Sequence, residues 1–435
     1  MTTRWSDTIR ATTGRNTKPG SSLLVGVLVV TLLFGLFQLF AAPGTDADDD
    51  TLHYGRMTLK VLGKSTAEAE AESIKMVCAR RATAWSRESS VNPVGVHQSV
   101  DRGRFIKECT AQVKKFPLGG DERFLSIFDT RPGYPYLAAP FVAVLGLAWG
   151  MWMTSLLCVL AAAALVALSL RTLGLSVRTA LVGQILFLLL PSGPWGVHLM
   201  TEGAMLMTTM MVVYGAVLLQ RGRIVPGAVW NVAGFALGFA VKSSQVTLLA
   251  AGICGAALAC LVFMRRERTR GNLVLAGISG VATILAVILP KLWGWAGVDE
   301  ALQDNLSVHY SRPEVADPWY WFMRINANYW QWLGRGEFQN PWLLVVLAAC
   351  VWVLARYSVS LALLVGAVAA TAVLTMAIHP TTGPDVMRFS VPLWIFVAFA
   401  GAVFSERLRV LPVRGADPQA PTTEETRQEA PVRTH

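Results

Sequence analysis

Carboxylate side chains cluster directly after the first apolar segment of the chain. Four aspartates lie within five residues there, and Tyr54 ends the run Asp-Thr-Leu-His-Tyr that begins at Asp50. Such residues are an ordinary polar flank where a helix leaves the lipid and meets water. A carboxylate held at the water–lipid boundary is also suited to take a proton from a substrate hydroxyl. The cluster is therefore a candidate catalytic site, and its aspartates are Asp46, Asp48, Asp49 and Asp50.

Further ionisable residues lie within or just beside apolar segments, where a charge is costly and often functional. They are His198, Glu202, Lys242, His379 and Arg388. Simpler explanations exist: the two cations are snorkelling anchors, the glutamate is a partner of the lysine, and His379 ends a helix. Two cations in a partly desolvated pocket can instead hold a phosphate, and a neighbouring carboxylate can accept a proton.

The elements that must position these residues are membrane-spanning helices. Hydrophobic residues make up 53% of the chain, mean hydropathy is +0.46, and several apolar runs reach about 20 residues. The first run is uncharged and longer than the apolar core of a signal peptide, so we expect a retained anchor. The sequence predicts an all-α polytopic membrane protein with about ten transmembrane helices, at 21–42, 149–170, 177–195, 201–219, 227–242, 244–264, 272–290, 341–355, 358–378 and 389–404.

The distribution of Lys and Arg predicts the orientation of these helices. With the N-terminus in the cytoplasm, every short inner connection is basic, as the positive-inside rule requires. Residues 1–20 are then a cytoplasmic segment, 21–410 the transmembrane domain, and 411–435 a disordered cytoplasmic tail rich in Pro, Thr, Glu and Arg. The net charge of +10 follows from this topology, and without a basic soluble domain no nucleic-acid partner is expected.

Two predicted external segments, 43–148 and 293–340, are too long to be simple connectors. The first mixes charged and apolar residues and predicts several interfacial helices. Its Cys78 and Cys109 lie on the oxidising side, where a disulfide between them is plausible. The apolar stretch that follows Arg131 and runs up to Trp149 is expected to be a short or re-entrant helix. A full span there would make the number of spans odd and place Arg171 and Arg178 on the outer side of the membrane.

The second external segment is rich in Trp and Tyr. An interfacial aromatic belt accounts for most of them. Some of these rings would alternatively stack on sugar faces or line a groove for an isoprenoid chain. No Cys and His have metal-ligand spacing, so no zinc site is expected. No second set of carboxylates is clearly built to hold a divalent ion, which is left as an open alternative that the sequence does not indicate.

Together these residues resemble motifs of the GT-C superfamily of integral membrane glycosyltransferases. The similar elements are Asp50-Thr-Leu-His-Tyr54, Val61-Leu-Gly63, the Arg-x-x-Tyr-Pro that begins at Arg131, Thr201-Glu202, Lys242 and Arg388-Phe-Ser-Val-Pro392. The long first external segment followed by many spans is also similar. Each motif is short and degenerate, and the resemblance extends over most of the chain.

The resemblance implies an inverting glycosyltransferase that takes a sugar from a polyprenyl-phosphate carrier on the outer face of the membrane. Asp50 would be the general base. Asp48 or Asp49 is the alternative, because Thr51 occupies the usual Glu position and Asp49 precedes Asp50 instead, and His379 is a second candidate base. Lys242 and Arg388 would hold the donor phosphate, with Tyr54 and Arg131 belonging to the same binding site. Glu202 and His198 would orient acceptor or sugar.

The acceptor in this hypothesis is a glycan, a glycolipid or a protein. High usage of Ala, Arg and Val suggests a GC-rich bacterium, so mannose or arabinose would be the sugar, and the protein would lie in the bacterial plasma membrane. A transporter or flippase for a lipid-linked or anionic substrate is the alternative, and a non-catalytic assembly protein is a third. The enzyme hypothesis expects Asp50, Glu202, Lys242 and Arg388 to meet in one externally open cavity.

Overall fold

A computed structural model describes residues 21–41, 49–91, 101–115, 122–295, 297–382 and 384–410. These ranges form seventeen α-helices and contain no strand, so the protein is an all-α polytopic membrane protein. The helices are α1 Ser21–Ala41, α2 Asp49–Val61, α3 Thr66–Val91, α4 Arg102–Lys115, α5 Glu122–Asp129, α6 Gly133–Leu145, α7 Leu147–Thr172, α8 Val177–Leu189, α9 Ser192–Gly196, α10 Glu202–Gln220, α11 Ile224–Phe263, α12 Arg270–Leu292, α13 Val298–Leu306, α14 Pro318–Gln339, α15 Trp342–Tyr357, α16 Val359–Ile378 and α17 Pro384–Val410.

Seven helices of the described ranges are long and apolar enough to cross a membrane, and an eighth span results if α14 and α15 are one broken element. Each of the ten predicted segments falls mainly on helix in the described ranges, but three differences reduce the number of helices long enough to span the membrane from ten to seven. The segment 177–195 is divided into α8 and α9 because Pro191 ends the first of them. The segment 341–355 is the 16-residue α15, which bends by 88° from α14.

The third difference is α11, which contains both 227–242 and 244–264 in a single 40-residue element. Its backbone leaves the helical conformation at Lys242 (φ −159°, ψ 84°). A Cβ added to Gly238 would lie 2.7 Å from Cγ2 of Val246. In a straight helix, residues eight apart are separated by about 12 Å along the axis. The two arms of α11 therefore fold back on each other around Lys242.

The stretch before α7 also folds back. The 13-residue α6 ends at Gly146, whose φ of 77° suits glycine, and α7 begins at the next residue. A Cβ on Gly150 would lie 2.4 Å from Val142, so the two helices are in close contact through this glycine. At about 1.5 Å per residue α6 is too short to cross the bilayer. It is a short helix, as predicted from the distribution of basic residues among the connections.

The first predicted external segment contains α2 to α6, and a disulfide joins Cys78 of α3 to Cys109 of α4. Around this bond, Leu52, Ile74 and Val77 form a small apolar core. The main core lies among the long helices, where α10 is the most enclosed and α1 lies at the periphery. Glu202, the first residue of α10, thus belongs to the most enclosed of the seven candidate spanning helices.

Candidate functional site

The ionisable residues singled out above come from the ends and breaks of different helices. Asp50 lies in the first turn of α2, Glu202 is the first residue of α10, and Lys242 marks the fold-back of α11. His379 follows the last residue of α16, and Arg388 lies near the start of α17. Helix ends leave backbone groups and side chains accessible, and here five of them point toward one region. The sequence places the charges, and the helix packing brings them together.

Arg388 is at the centre of this region. Its Nε donates a hydrogen bond to Oε1 of Glu202 at 2.6 Å, and its Nη2 donates to a carboxylate oxygen of Asp50. Nζ of Lys242 lies 3.7 Å from the same Oε1 of Glu202. The planar guanidinium fork suits two carboxylates at once. We call Asp50, Glu202, Lys242 and Arg388 the Arg388 cluster.

The Arg388 cluster is nearly buried. The side chains of Arg388, Glu202 and Lys242 are each about a tenth exposed, and that of Asp50 is 25% exposed. Burial raises the pKa of the Asp50 carboxyl, but the adjacent Arg388, with Arg131 and Lys242 beyond it, outweighs burial and holds that pKa well below its usual range. Asp50 is therefore an ionised carboxylate that is strongly engaged by a cation.

Tyr54 supports the cluster from behind. Its ring is fully buried between Phe128, at a centroid distance of 5.7 Å, and Tyr134, at 5.5 Å. Nη1 of Arg131 donates to the Tyr54 hydroxyl at 3.5 Å, a long hydrogen bond. Burial raises the pKa of the Tyr54 hydroxyl. Tyr54 positions Arg131 beside the cavity and is not itself part of the cavity wall.

A cavity of about 530 Å³ opens over the cluster. Of the predicted site residues, five line it: Asp50, Arg131, Lys242, His379 and Arg388. Glu202 lies one contact deeper, where with Lys242 and Arg388 it borders a void of about 20 Å³. The four residues expected to meet thus form one connected unit, with Glu202 behind the wall of the cavity.

His379 occupies the cavity wall beside the cations. Its ring stacks on Phe389 at a centroid distance of 5.5 Å, and its Nδ1 lies 3.4 Å from Nδ2 of Asn305. Burial, reinforced by the positive charges of Lys242, Arg131 and Arg388, lowers the pKa of His379 to about 4. The imidazole is therefore neutral near pH 7.

Other predicted residues have different positions. His198 stacks on Trp195 at 4.5 Å and is not among the residues that line the cavity. Asp49 is the first residue of α2, and its backbone alone is described. Asp46 and Asp48 lie outside the described residues. Of the four aspartates considered as the catalytic base, only Asp50 has a described side chain, and it contacts Arg388.

The cavity also has ionisable residues that sequence reasoning missed, namely Arg81, Asp304 and His309. Nδ1 of His309 lies 3.0 Å from Oδ1 of Asp304, and the His309 ring contacts Phe124 at 4.3 Å. The backbone is left-handed at three successive residues, Val308, His309 and Tyr310. In the sequence, these two residues are an acidic residue and a histidine five positions apart in the second predicted external segment. They were overlooked because the many aromatic residues of that segment drew the interpretation.

The second predicted external segment packs against the first through an arginine and two glutamates. Arg123 of α5 contacts Glu300 of α13 with Nη2 2.7 Å from Oε2, and it also contacts Glu314. Its guanidinium lies 4.5 Å from the centre of the Tyr310 ring. These contacts hold α13 and the following loop above the cavity. The cavity wall therefore includes residues from both long segments.

A second cavity, apolar and of about 500 Å³, lies between α11 and α12. Phe239 and Val246, on the two arms of α11, line it, and so does Trp293. Lys242 lies between these two residues in the chain and lines the charged cavity instead. The fold-back of α11 therefore separates an apolar cavity from a charged one by a few residues.

Chemically, the wall of this partly desolvated cavity offers four cations, Arg81, Arg131, Lys242 and Arg388, and two carboxylates, Asp50 and Asp304. Such a wall suits an anionic group that competes with the carboxylates for the cations. Within the described ranges, no group of three or more His, Cys, Asp or Glu is arranged to hold a metal ion. No family model, no curated protein and no solved structure matches this chain.

Proposed function

We propose that this protein is an inverting glycosyltransferase that moves a sugar from a polyprenyl-phosphate carrier to an acceptor hydroxyl. The observation that carries the proposal is the fold-back of α11. Lys242 lines the charged cavity, whereas Phe239 and Val246 on either side of it line the apolar cavity. A phosphate held by Lys242 and Arg388 would have its isoprenoid chain directed toward the apolar cavity.

The reaction assigns a separate task to each charged group. The acceptor oxygen attacks the anomeric carbon, its proton passes to a carboxylate, and the bond from that carbon to the phosphate oxygen breaks. The bonding electrons leave with the polyprenyl phosphate, whose added charge is stabilised by Lys242 and Arg388. Attack from the face opposite the leaving group inverts the anomeric centre. Asp50 is the carboxylate of the Arg388 cluster that lines the cavity, and it is the proposed proton acceptor.

Binding of the donor would also increase the basicity of Asp50. Arg388 contacts both Asp50 and Glu202 in the structure, and its contact with Asp50 keeps the Asp50 pKa low. A phosphate competes for the same guanidinium, so the pull on Asp50 weakens and its pKa rises toward the ordinary value of about 4. A carboxylate released in this way accepts a proton more readily. The base would thus be strengthened only when donor is present.

The proposal includes an outer-face site in a bacterial plasma membrane, with a glycan, glycolipid or protein acceptor. The Cys78–Cys109 disulfide supports an oxidising compartment for the segment that contains Asp50. The basic residues of the short connections support the same orientation. Resemblance to the GT-C motifs supports the type of donor.

The test uses the full-length protein in vesicles with radiolabelled polyprenyl-phosphate mannose and, separately, arabinose. Asp50→Asn should lower transfer by at least ~100-fold, while donor lipid still binds because the cations remain. Asp129→Asn removes an exposed carboxylate that is not among the residues lining the charged or the apolar cavity, and it is the matched control. Full transfer by Asp50→Asn would refute Asp50 as the base. If the native protein binds neither donor, the donor class is wrong.

Transport of a lipid-linked substrate is the second candidate, and the break at Lys242 favours it. Transporters commonly bind substrate at interrupted helices, and this one has a charged residue at the interruption. The two functions differ in their product. A transporter would move the labelled donor across the vesicle membrane with its sugar–phosphate bond intact, whereas the transferase would release unlabelled polyprenyl phosphate.

A further inference from the structure

A second charged surface lies on α3, outside the cavity of the Arg388 cluster. It is a groove of about 990 Å³ bordered by α3, the start of α4 and the start of α7. Its residues on α3 recur at helical spacing, so they share one face of that helix. They include Glu68, Glu72, Lys75, Arg80 and Arg87. The face is acidic toward the start of α3 and basic toward its end.

Arg80 is the central residue of this groove. Only 6% of it is exposed, and its Nε is buried without a hydrogen-bond partner. Its sole hydrogen bond among the described residues is a long one, 3.5 Å from Nη2 to the carbonyl oxygen of Ala148. Burial lowers the pKa of Arg80 to about 10, so the side chain is still charged near pH 7. A buried cation without a counter-charge is costly unless an anion binds to it.

The carboxylates of the groove have other partners. Glu68 caps the start of α3, where its Oε2 accepts hydrogen bonds from the Ser65 amide at 3.1 Å and from the Ser65 hydroxyl at 2.7 Å. Glu72 forms a salt bridge with Lys64. In the part of the chain that the structure describes, no carboxylate lies within ion-pair distance of Arg80. Its positive charge therefore faces the groove uncompensated.

Further cations surround Arg80 at the basic end. Lys75 and Arg102 are exposed on the rim, and Nη2 of Arg102 donates to the Thr83 hydroxyl at 3.1 Å. Arg102 belongs to α4, which the Cys78–Cys109 disulfide fastens to α3. The rim is thus assembled from two covalently joined helices. Several donors converge on one opening, as recognition of a phosphate requires.

The position of the groove indicates where its ligand comes from. Leu147, Ala148 and Trp149 begin the membrane-spanning α7 and line the groove, and Trp149 is 45% exposed. The end of a spanning helix lies near the boundary of hydrocarbon and water, where exposed Trp is common. A phosphate at this depth belongs to a lipid headgroup.

We propose that this groove binds the phosphate of an anionic membrane lipid, with Arg80 at its base and Lys75 and Arg102 at its rim. The acyl chains of that lipid would lie beside the exposed ring of Trp149. The site is separate from the cavity of the Arg388 cluster, so it does not depend on sugar transfer. It would anchor α3 and α4 to the bilayer surface.

The experiment measures the Tm of the full-length protein in a neutral detergent, with added phosphatidylglycerol, phosphatidylcholine or inorganic phosphate. We expect phosphatidylglycerol to raise Tm by at least ~3 °C and the other two to have little effect. In Arg80→Gln the apparent affinity for phosphatidylglycerol should fall about tenfold. Lys107→Gln removes an exposed charge of α4 outside the groove and should keep the full response.

Without lipid, Arg80→Gln should melt at or above the temperature of the native protein, because it removes an unpaired buried charge. If that variant fails to fold, Lys75→Gln on the exposed rim carries the test and should weaken the lipid response. An unchanged response in both variants would overturn the proposal. An equal response to phosphatidylcholine, or to inorganic phosphate alone, would also overturn it, since the ligand would then be any lipid or a soluble anion.

Discussion

Two arginines of this protein each join two carboxylates from distant parts of the chain, in opposite surroundings. Arg388 contacts Asp50 and Glu202 while only 10% of its side chain is exposed. Arg123 contacts Glu300 and Glu314 while 41% of its side chain is exposed. The two units have the same composition, one guanidinium with two carboxylates, and differ mainly in their access to water.

Because of this difference in exposure, the Arg123 unit acts mainly as a structural contact, whereas the Arg388 unit is suited to interact with a ligand. Water screens the exposed unit, so its contribution is small, and it chiefly fixes how α13 lies on α5. In the buried unit each charge depends on its partners, because removal of one leaves the others desolvated. A buried set of this kind borders a cavity, where an incoming anion would redistribute the charges. Burial therefore turns a common ion pair into a site that responds to a ligand.

The largest effect should follow the loss of the buried arginine. Arg388→Gln leaves the Asp50 and Glu202 carboxylates close together with less counter-charge, and such a break costs about 3–5 kcal/mol. We expect a marked fall in Tm and loss of sugar transfer. Arg388→Lys keeps the charge but not the fork, so it should recover part of the Tm and little of the activity.

A double variant tests whether the uncompensated carboxylates cause this loss. Adding Asp50→Asn to Arg388→Gln removes one of them and should raise Tm above that of the single variant. If Arg388→Gln melts within about 2 °C of the native protein, the cluster is not electrostatically coupled and the contrast with Arg123 fails.

Burial and the positive charges around the cavity should also make the stability of the protein depend on the protonation of His379. The native pKa of about 4 is below the ordinary 6.5, so between these pH values the unfolded chain binds a proton that the native state lacks. The contribution of His379 to stability should therefore fall as pH decreases from 6.5 to 4 and be constant above that window. The groups facing His379 are Lys242, Arg131 and Arg388, with Asp50 opposing them.

The measurement is Tm against pH for the native protein and for His379→Gln, in which this loss should be reduced. Removing the exposed Arg123 should leave the pH dependence of the native protein unchanged, because its charge does not act on His379. Parallel curves for the native protein and His379→Gln would show that His379 does not titrate in this window.

The fold class and the Arg388 cluster were predictable because their signals are local in sequence. Apolar runs identify helices, and Glu202, Lys242 and Arg388 stand out against those runs, since a charge in lipid needs a reason. The predicted break near Lys242 was read as the end of one span and the start of another. Its sharp reversal depends on Gly238, whose missing side chain allows Val246 to approach.

Other features depend on contacts between residues far apart in the chain. Arg123 and Glu300 are separated by 177 positions, and nothing near either residue marks its partner. His309 lies in a left-handed stretch, Val308 to Tyr310, that brings its ring back to Asp304 of α13. Arg80 is one basic residue among several on α3, and only tertiary packing against α7 makes it buried. Such features require the structure.

The smallest effect should come from Arg123→Gln, the same substitution applied to the exposed unit. Glu300 and Glu314 keep their access to water, so Tm should change by no more than ~2 °C and sugar transfer by less than about twofold. Arg104→Gln, which opens the exposed pair with Glu108, is the matched control and should behave alike. A loss of activity as large as that of Arg388→Gln, with Tm preserved, would mean that the contact between α5 and α13 controls the cavity. Exposure would then be a poor guide to which of the two arginines matters for the chemistry.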